Sequence, residues 1–405
     1  MKTTHNARPF LQQVADDLAQ RFPDGLNGVT VVFPNRRARL FLNEHLFKAY
    51  GHAIWEPNYS DFNELLSKPS NLHAADTIEL VYYLYKAMVK VYEEQYHKPY
   101  TETFDEFYYF GEVLLRDFDD IDKYLVDPHQ LFVNLEEYHK FDDTFSHLSE
   151  EQRTLIDRFF NTTKENDDKE SKIKRRFAEI WNILSKVYTR LNQTLDEKGV
   201  AYPGKMARRT IEKLETEDDT PLFNADHYVF VGFNVLSACE ETIFKHLKDK
   251  ALFYWDVDAY FLDNDVVQEA GRFLRQNIQK FPNALPKVDS ALEAIDDITI
   301  VEAPNDIIQT AYVATWVKSL NKTSFLQPDT AIVLGDENLL GVTLRNLPAE
   351  VDAVNITMGY PLAQTPISTF VQLTANLVQI CDNETLRLES LITWLEHPYA
   401  RYCFN

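Results

Sequence analysis

The stretch Val29-Thr-Val-Val-Phe-Pro-Asn-Arg-Arg-Ala-Arg-Leu-Phe-Leu42 decides how the rest of the chain is read. Residues 29–33 are apolar or β-branched with no polar alternation, the pattern of a strand buried on both faces. Pro34 ends that run, and Leu40, Leu42, Leu46 and Phe47 predict a helix reaching about Tyr50. A buried strand, a short turn and a helix make the unit from which parallel α/β sheets are built. Ahead of it, Phe10, Val14, Leu18 and Phe22 recur at the i, i+4 interval and predict an amphipathic helix.

Similar units follow. Tyr228–Val231 leads to a helix over Leu236–Leu247 and a strand at Leu252–Trp255. Ile298–Val301 leads to a helix over Asp306–Leu320, then strands at Ala331–Leu334 and Val354–Thr357. Residues 60–215 break the pattern: helical periodicity dominates (74–96, 104–125, 128–139, 149–162, 172–197) and no convincing strand is present. The polar, proline-bearing stretch Pro282–Asp297 reads as a linker. The expectation is a first α/β domain from 1–59 and 216–285, an all-helical insertion over 60–215, and a second α/β domain over 286–405. With three strands and a final helix at Leu386–Glu396, that second domain looks incomplete, and the natural chain is expected to continue past Asn405.

Composition sets the limits. The 405 residues carry a net charge of −22, and 45% are hydrophobic, enough for a buried core. No apolar run reaches the length of a membrane span, and residues 1–20 lack the apolar core of a secretory signal. Cys239, Cys381 and Cys403 are too few and scattered for a disulfide framework, so a reducing, cytoplasmic setting is expected. Only 11 glycines occur, where average usage would give roughly 28. No G-x-G-x-x-G is present, which excludes a Rossmann dinucleotide cradle. Charge is segregated: residues 101–150 hold 14 acidic and 3 basic side chains, residues 171–213 hold 11 basic and 4 acidic ones. Solvated helix faces account for such blocks, although a basic stretch can also track phosphates.

Several motifs invite chemistry. Gly199-Val-Ala-Tyr-Pro-Gly-Lys-Met206 nearly matches a P-loop, but Met206 stands where a hydroxyl must hold Mg²⁺, and the stretch follows a helix rather than a strand. It reads as a helix connector with Gly199 as C-cap. Asp256-Val-Asp258 follows an apolar strand and has the spacing of a DxD metal site; solvated acids capping the next turn are the simpler reading. The run Asp117-Phe-Asp-Asp-Ile-Asp122 reads as an amphipathic helix with an acidic outer face. No H-E-x-x-H, no G-x-S-x-G and no nuclease motif on a strand is found; Asp196-Glu-Lys198 falls at a helix end. The most informative position is Pro34-Asn35-Arg36-Arg37. Ligands gather at the carboxyl ends of parallel strands, and a helix N-terminus with two guanidinium groups suits phosphate. Two arginines on an exposed helix face are the plainer alternative.

These residues also carry a resemblance. V-V-F-P-N-R-R-A-R-L-F-L (31–42) resembles the segment after the first helicase strands in AddB-type subunits of bacterial helicase–nuclease complexes, relatives of superfamily 1 helicases. H-Y-V-F-V-G-F-N-V-L-S-A-C-E (227–240) sits where that superfamily has its Walker B strand. E-A-G-R-F-L-R (269–275), V-N-I-T-M-G-Y-P-L (354–362) and H-P-Y (397–399) are similar to further stretches of the family, in the same order. The resemblance implies two RecA-like (P-loop NTPase-like) domains, the first with the helical insertion, and an inactive motor. Residues 1–28 contain no P-loop, and Gly232-Phe-Asn234 replaces the Walker B Asp-Glu.

It further implies a module that grips single-stranded DNA for double-strand break repair and recombination, beside an AddA-type helicase–nuclease subunit. No cofactor is expected, nor catalysis from this segment; the family's nuclease domain lies C-terminal to it. By the same resemblance Asn35, Arg36, Arg37 and Arg39 correspond to a DNA-contacting motif, with Lys172, Lys174, Arg175, Arg176, Lys205, Arg208 and Arg209 as further contacts in the insertion. The alternatives are a metal-dependent nucleotide-sugar transferase using Asp256 and Asp258, and a scaffold for a partner helicase subunit that does not itself bind DNA.

Overall fold

The computed structural model describes residues 8–132, 179–216, 222–262, 269–285, 298–320, 330–351, 353–381 and 386–404. The chain divides into two compact units, 1–296 and 297–405.

Unit 1 is α/β, centred on four parallel strands: β1 (Val29–Phe33), β2 (Asn58–Asp61), β5 (His227–Val231) and β6 (Ala251–Tyr254), in the order β2-β1-β5-β6. Register aligns Phe33 with Asp61, Val32 with Phe230, and Val231 with Tyr254. The lack of alternation in β1 has its reason here, because both faces are covered. Val29, Val31, Phe33, Val229 and Val231 pack with Val14 and Leu18 of α1 (Phe10–Arg21) and Leu42 and Leu46 of α2 (Ala38–Tyr50). Val32, Tyr228 and Phe230 face the opposite way. There they meet Leu66 of α3 (Phe62–Ser70), Ile211 of α8 (Pro203–Thr216) and Phe244 of α9 (Ala238–Leu247). Aromatic rings tile this second face: Phe230 lies 5.5 Å from Phe253 in a stacked arrangement and 4.2 Å from Phe244.

The intervening block is helical but not free of strands. The paired segments β3 (His73–Ala74) and β4 (Val200–Ala201) form a short parallel ladder that joins its two ends, and β2 adds an edge to the main sheet just before it. Between them α4 (Thr77–Tyr96), α5 (Phe104–Lys123), α6 (Pro128–Leu131) and α7 (Leu184–Lys198) surround a separate core containing Leu84, Phe107, Phe118 and Leu191. Helix α5 starts on a Thr103/Glu106 capping box, and α7 ends on Gly199 with φ +69°, the left-handed C-cap that its sequence predicts. The expected helix over 149–162, the remainder of 128–139 and the first part of 172–197 lie outside the described residues. Short helices α10 (Ala259–Leu262) and α11 (Arg272–Lys280) complete unit 1.

In unit 2, α12 (Asp306–Ser319) packs with α13 (Leu340–Asn346), where the Asn346 amide donates to the Thr310 hydroxyl at 3.0 Å. Helix α14 (Pro366–Ile380) pairs with α15 (Leu388–Glu396), where the Trp394 indole N–H donates to Thr374 at 2.8 Å. The strands expected at 298–301, 331–334 and 354–357 are not formed, and the described residues of this unit contain no strand. Ile300 is 91% and Val333 90% exposed. β-Branched runs favour a half-buried pleated surface, and without a ladder partner that preference has nothing to act on.

Among the described residues no helix is long and apolar enough to cross a membrane.

Candidate nucleic-acid interface

The turn from β1 to α2 sits at the carboxyl edge of the sheet, beside the end of β2. Asn35 shapes it by accepting the Arg37 backbone N–H on its side-chain oxygen at 3.1 Å, an Asx turn that starts the helix. The Arg36 guanidinium is turned sideways: its Nε donates to Asp61 at 2.5 Å, and Glu64 lies 3.7 Å from Nη2. Asp61 is also the N-cap of α3, accepting the Glu64 backbone N–H at 2.8 Å. Partial burial raises its carboxyl, but the Glu64 amide and the Arg36 charge outweigh that effect and hold it below the usual carboxylate range. Arg36 therefore clamps the turn to β2, while Arg39 is exposed on the first turn of α2 and Arg37 is half-buried at its start. The α2 N-terminus has no side-chain cap.

The basic residues of the insertion divide. Lys172, Lys174, Arg175 and Arg176 lie outside the described residues. Lys205 and Arg208 do not face outward as expected. The buried Lys205 ammonium pairs with Asp196 at 2.8 Å and donates to the Asn192 carbonyl at 3.2 Å. Arg208 pairs through Nε with Asp122 at 2.6 Å and donates to the carbonyls of Ile121 and Val126 at 2.9 and 2.6 Å, closing the end of α5. Arg209 alone of these three is exposed, with Glu212 at 3.7 Å.

The sequence places Asp122 on an acidic outer face; in the structure it lies inside instead, with a relative exposure of 0%. It accepts from the hydroxyls of Tyr188 at 2.5 Å and Tyr202 at 2.6 Å, and the Arg208 guanidinium lies beside it as an ion pair. Burial raises its carboxyl despite the two hydroxyls and the Arg208 charge, and it drives the Tyr188 and Tyr202 hydroxyls up as well. Cys239 of α9 touches the Asp122 carbonyl at 3.4 Å, its thiol pushed up to about 12 by burial. Two hydroxyls, from α7 and the β4–α8 turn, and a guanidinium from α8 thus converge on one charge at the seam between insertion and sheet. Only the i+4 step from Phe118 to Asp122 hinted that the residue points inward.

The P-loop-like stretch cannot cradle a phosphate in this conformation. The Gly204 amide, at the start of α8, donates instead to the Asp119 carboxylate at 2.6 Å. After β5, Gly232 takes φ +74°, Phe233 is buried in the aromatic core, and the Asn234 carbonyl accepts the Asn277 side-chain amide at 2.6 Å. At the end of β6, Asp258 accepts the Tyr260 backbone N–H at 2.9 Å and so caps α10. Among the described residues no group of three or more His, Cys, Asp or Glu is placed to hold a metal ion.

No protein-family model matches the chain, and no curated protein matches it either.

Proposed function

We propose that this chain is a motorless helicase-like module that holds single-stranded DNA, in the manner of the AddB-type subunits it resembles. On this reading residues 1–59 and 216–285 form a first RecA-like domain, 60–215 its insertion, and 286–405 part of a second. An AddA-type subunit would supply the motor. The observation that carries the reading is the β1–α2 turn, which sets Arg37 and Arg39 beside an uncapped helix N-terminus at the carboxyl edge of a parallel sheet. Arg36 acts as the clamp that fixes the turn, and Asn35 as the residue that shapes it. Lys205 and Arg208 leave the contact set, since Lys205 is itself buried and paired with Asp196 and Arg208 is paired with the buried Asp122. The reading includes no ATP hydrolysis, with the Gly204 amide and Lys205 both engaged by carboxylates and Phe233 standing where a motor needs an acid.

Fluorescence anisotropy of a labelled oligonucleotide at about 50 and 200 mM salt tests this. Affinity should fall roughly tenfold to twentyfold over that range if three phosphates are neutralised. Arg37→Ala plus Arg39→Ala should weaken binding at both salts. Binding that ignores the double substitution would overturn the assignment.

A further inference from the structure

The outer face of α5 is unusual for a helix that meets solvent. Such a face is ordinarily polar, yet Tyr109 is 79%, Val113 43% and Tyr124 51% exposed. Together with Asp120 they fall within one narrow arc of the helix and its C-cap, with Asp117 and Phe110 along one edge and Arg116 along the other. From Tyr109 to Tyr124 the stripe is about 22 Å long at 1.5 Å per residue. The inner face is committed elsewhere: Phe107, Leu114, Phe118 and Ile121 form the block's core. The Tyr109 and Tyr124 rings are not part of that core.

The charge around the stripe identifies what it fits. Asp105, Glu106, Asp117 and Asp120 are exposed on this face, against Arg116. Asp117 is raised by partial desolvation and by the neighbouring Asp120 charge, so a cation placed between the two relieves a repulsion. Nucleic acid would be repelled here. We propose that the outer face of α5 is a docking surface for a cationic amphipathic helix of a partner protein, whose apolar side chains at i, i+3, i+4 spacing lie along Tyr109, Val113 and Tyr124 while its Lys or Arg side chains meet Asp117 and Asp120. This surface is separate from the β1–α2 turn and does not depend on the single-strand reading.

The test uses the full chain and two labelled 18-residue peptides with leucines at helical spacing, one with lysine and one with glutamate at the polar positions. The lysine peptide should bind and the glutamate peptide should not. Tyr109→Ser plus Tyr124→Ser should weaken lysine-peptide binding tenfold or more, and so should Asp117→Asn plus Asp120→Asn. Glu197→Gln plus Glu215→Gln removes the same charge from other exposed helices and should leave affinity unchanged. Equal losses from both acid pairs would reduce the effect to attraction by the net charge and overturn the proposal. So would binding that is indifferent to the tyrosine pair. A concentration-dependent dimer abolished by the tyrosine pair would assign the face to a second copy of this chain instead. Because these tyrosines are exposed, circular dichroism should show each variant folded.

Discussion

Asp122 and Arg208 form a pair whose halves are not interchangeable in their removal. Arg208→Met leaves a fully buried carboxylate without its cation, and a loss of about 3–5 kcal/mol is expected in urea denaturation. Adding Asp122→Asn should recover part of that loss, because the orphaned charge disappears with it. Asp61 gives the acid-side counterpart. Its native carboxyl is held below its ordinary range, so the stability it contributes is complete above that range and is lost as pH falls through the lowered native value. Asp61→Asn keeps a capping oxygen and should flatten that part of the acid limb, read as urea midpoints at about pH 6 and about pH 3. Asp61→Ala also removes the cap, at about 1 kcal/mol at neutral pH. Neither residue's role is legible in the sequence. Asp61 ends a short polar strand, and the groups that neutralise Asp122 lie more than sixty residues away along the chain.

At the scale of elements, legibility followed burial. Strands β1, β5 and β6 are covered on both faces and announce themselves as continuous apolar runs. β2 is Asn-Tyr-Ser-Asp at the sheet edge, with one ladder partner, and its composition carries no strand signal. β3 and β4 are two residues each, too short for any period to show. In unit 2 the error runs the other way, since apolar runs read as strands remain unpaired. Helix packing includes close approaches at Gly204 and Gly111. A Cβ on Gly204 would collide with the Asp119 backbone carbonyl, and one on Gly111 would sit 2.6 Å from the Phe107 ring and 2.7 Å from Val81. Gly204→Ala should destabilise by about 1–3 kcal/mol, and Gly111→Ala by less, because side chains yield where backbone does not. Thermal or urea unfolding of the two variants side by side checks the order. The sequence shows both glycines but not what approaches them.

For the whole molecule, thiol accessibility reports on the seam between insertion and sheet. Cys381 and Cys403 are exposed and Cys239 is buried at that seam, its thiol pushed up to about 12. A thiol reagent near pH 8 should titrate two groups in the folded chain and the third only in denaturant. Arg208→Met, by loosening the seam, should bring the third thiol into reach faster. The change from apolar runs to helical periodicity after about residue 60 marks in the sequence where the helical block begins. What joins the helical block to the sheet is not legible, because it is made of contacts between residues far apart in the chain, such as Cys239 with Asp122.

The His73–Val200 pairing has one more consequence. It brings the two ends of a block more than a hundred residues long to adjacent backbones, roughly 5 Å apart. The sheet also meets the block through α8, which packs along α5 and α3 and lays Ile211 on the second face of the sheet, and through the surface around Asp122. Helices of another length between His73 and Val200 could keep these paired ends while α3 and α8 go on covering the sheet. In a lineage of such proteins, the sheet would be the constant part and the helices the variable one, free to acquire new partners while the β1–α2 turn keeps its place.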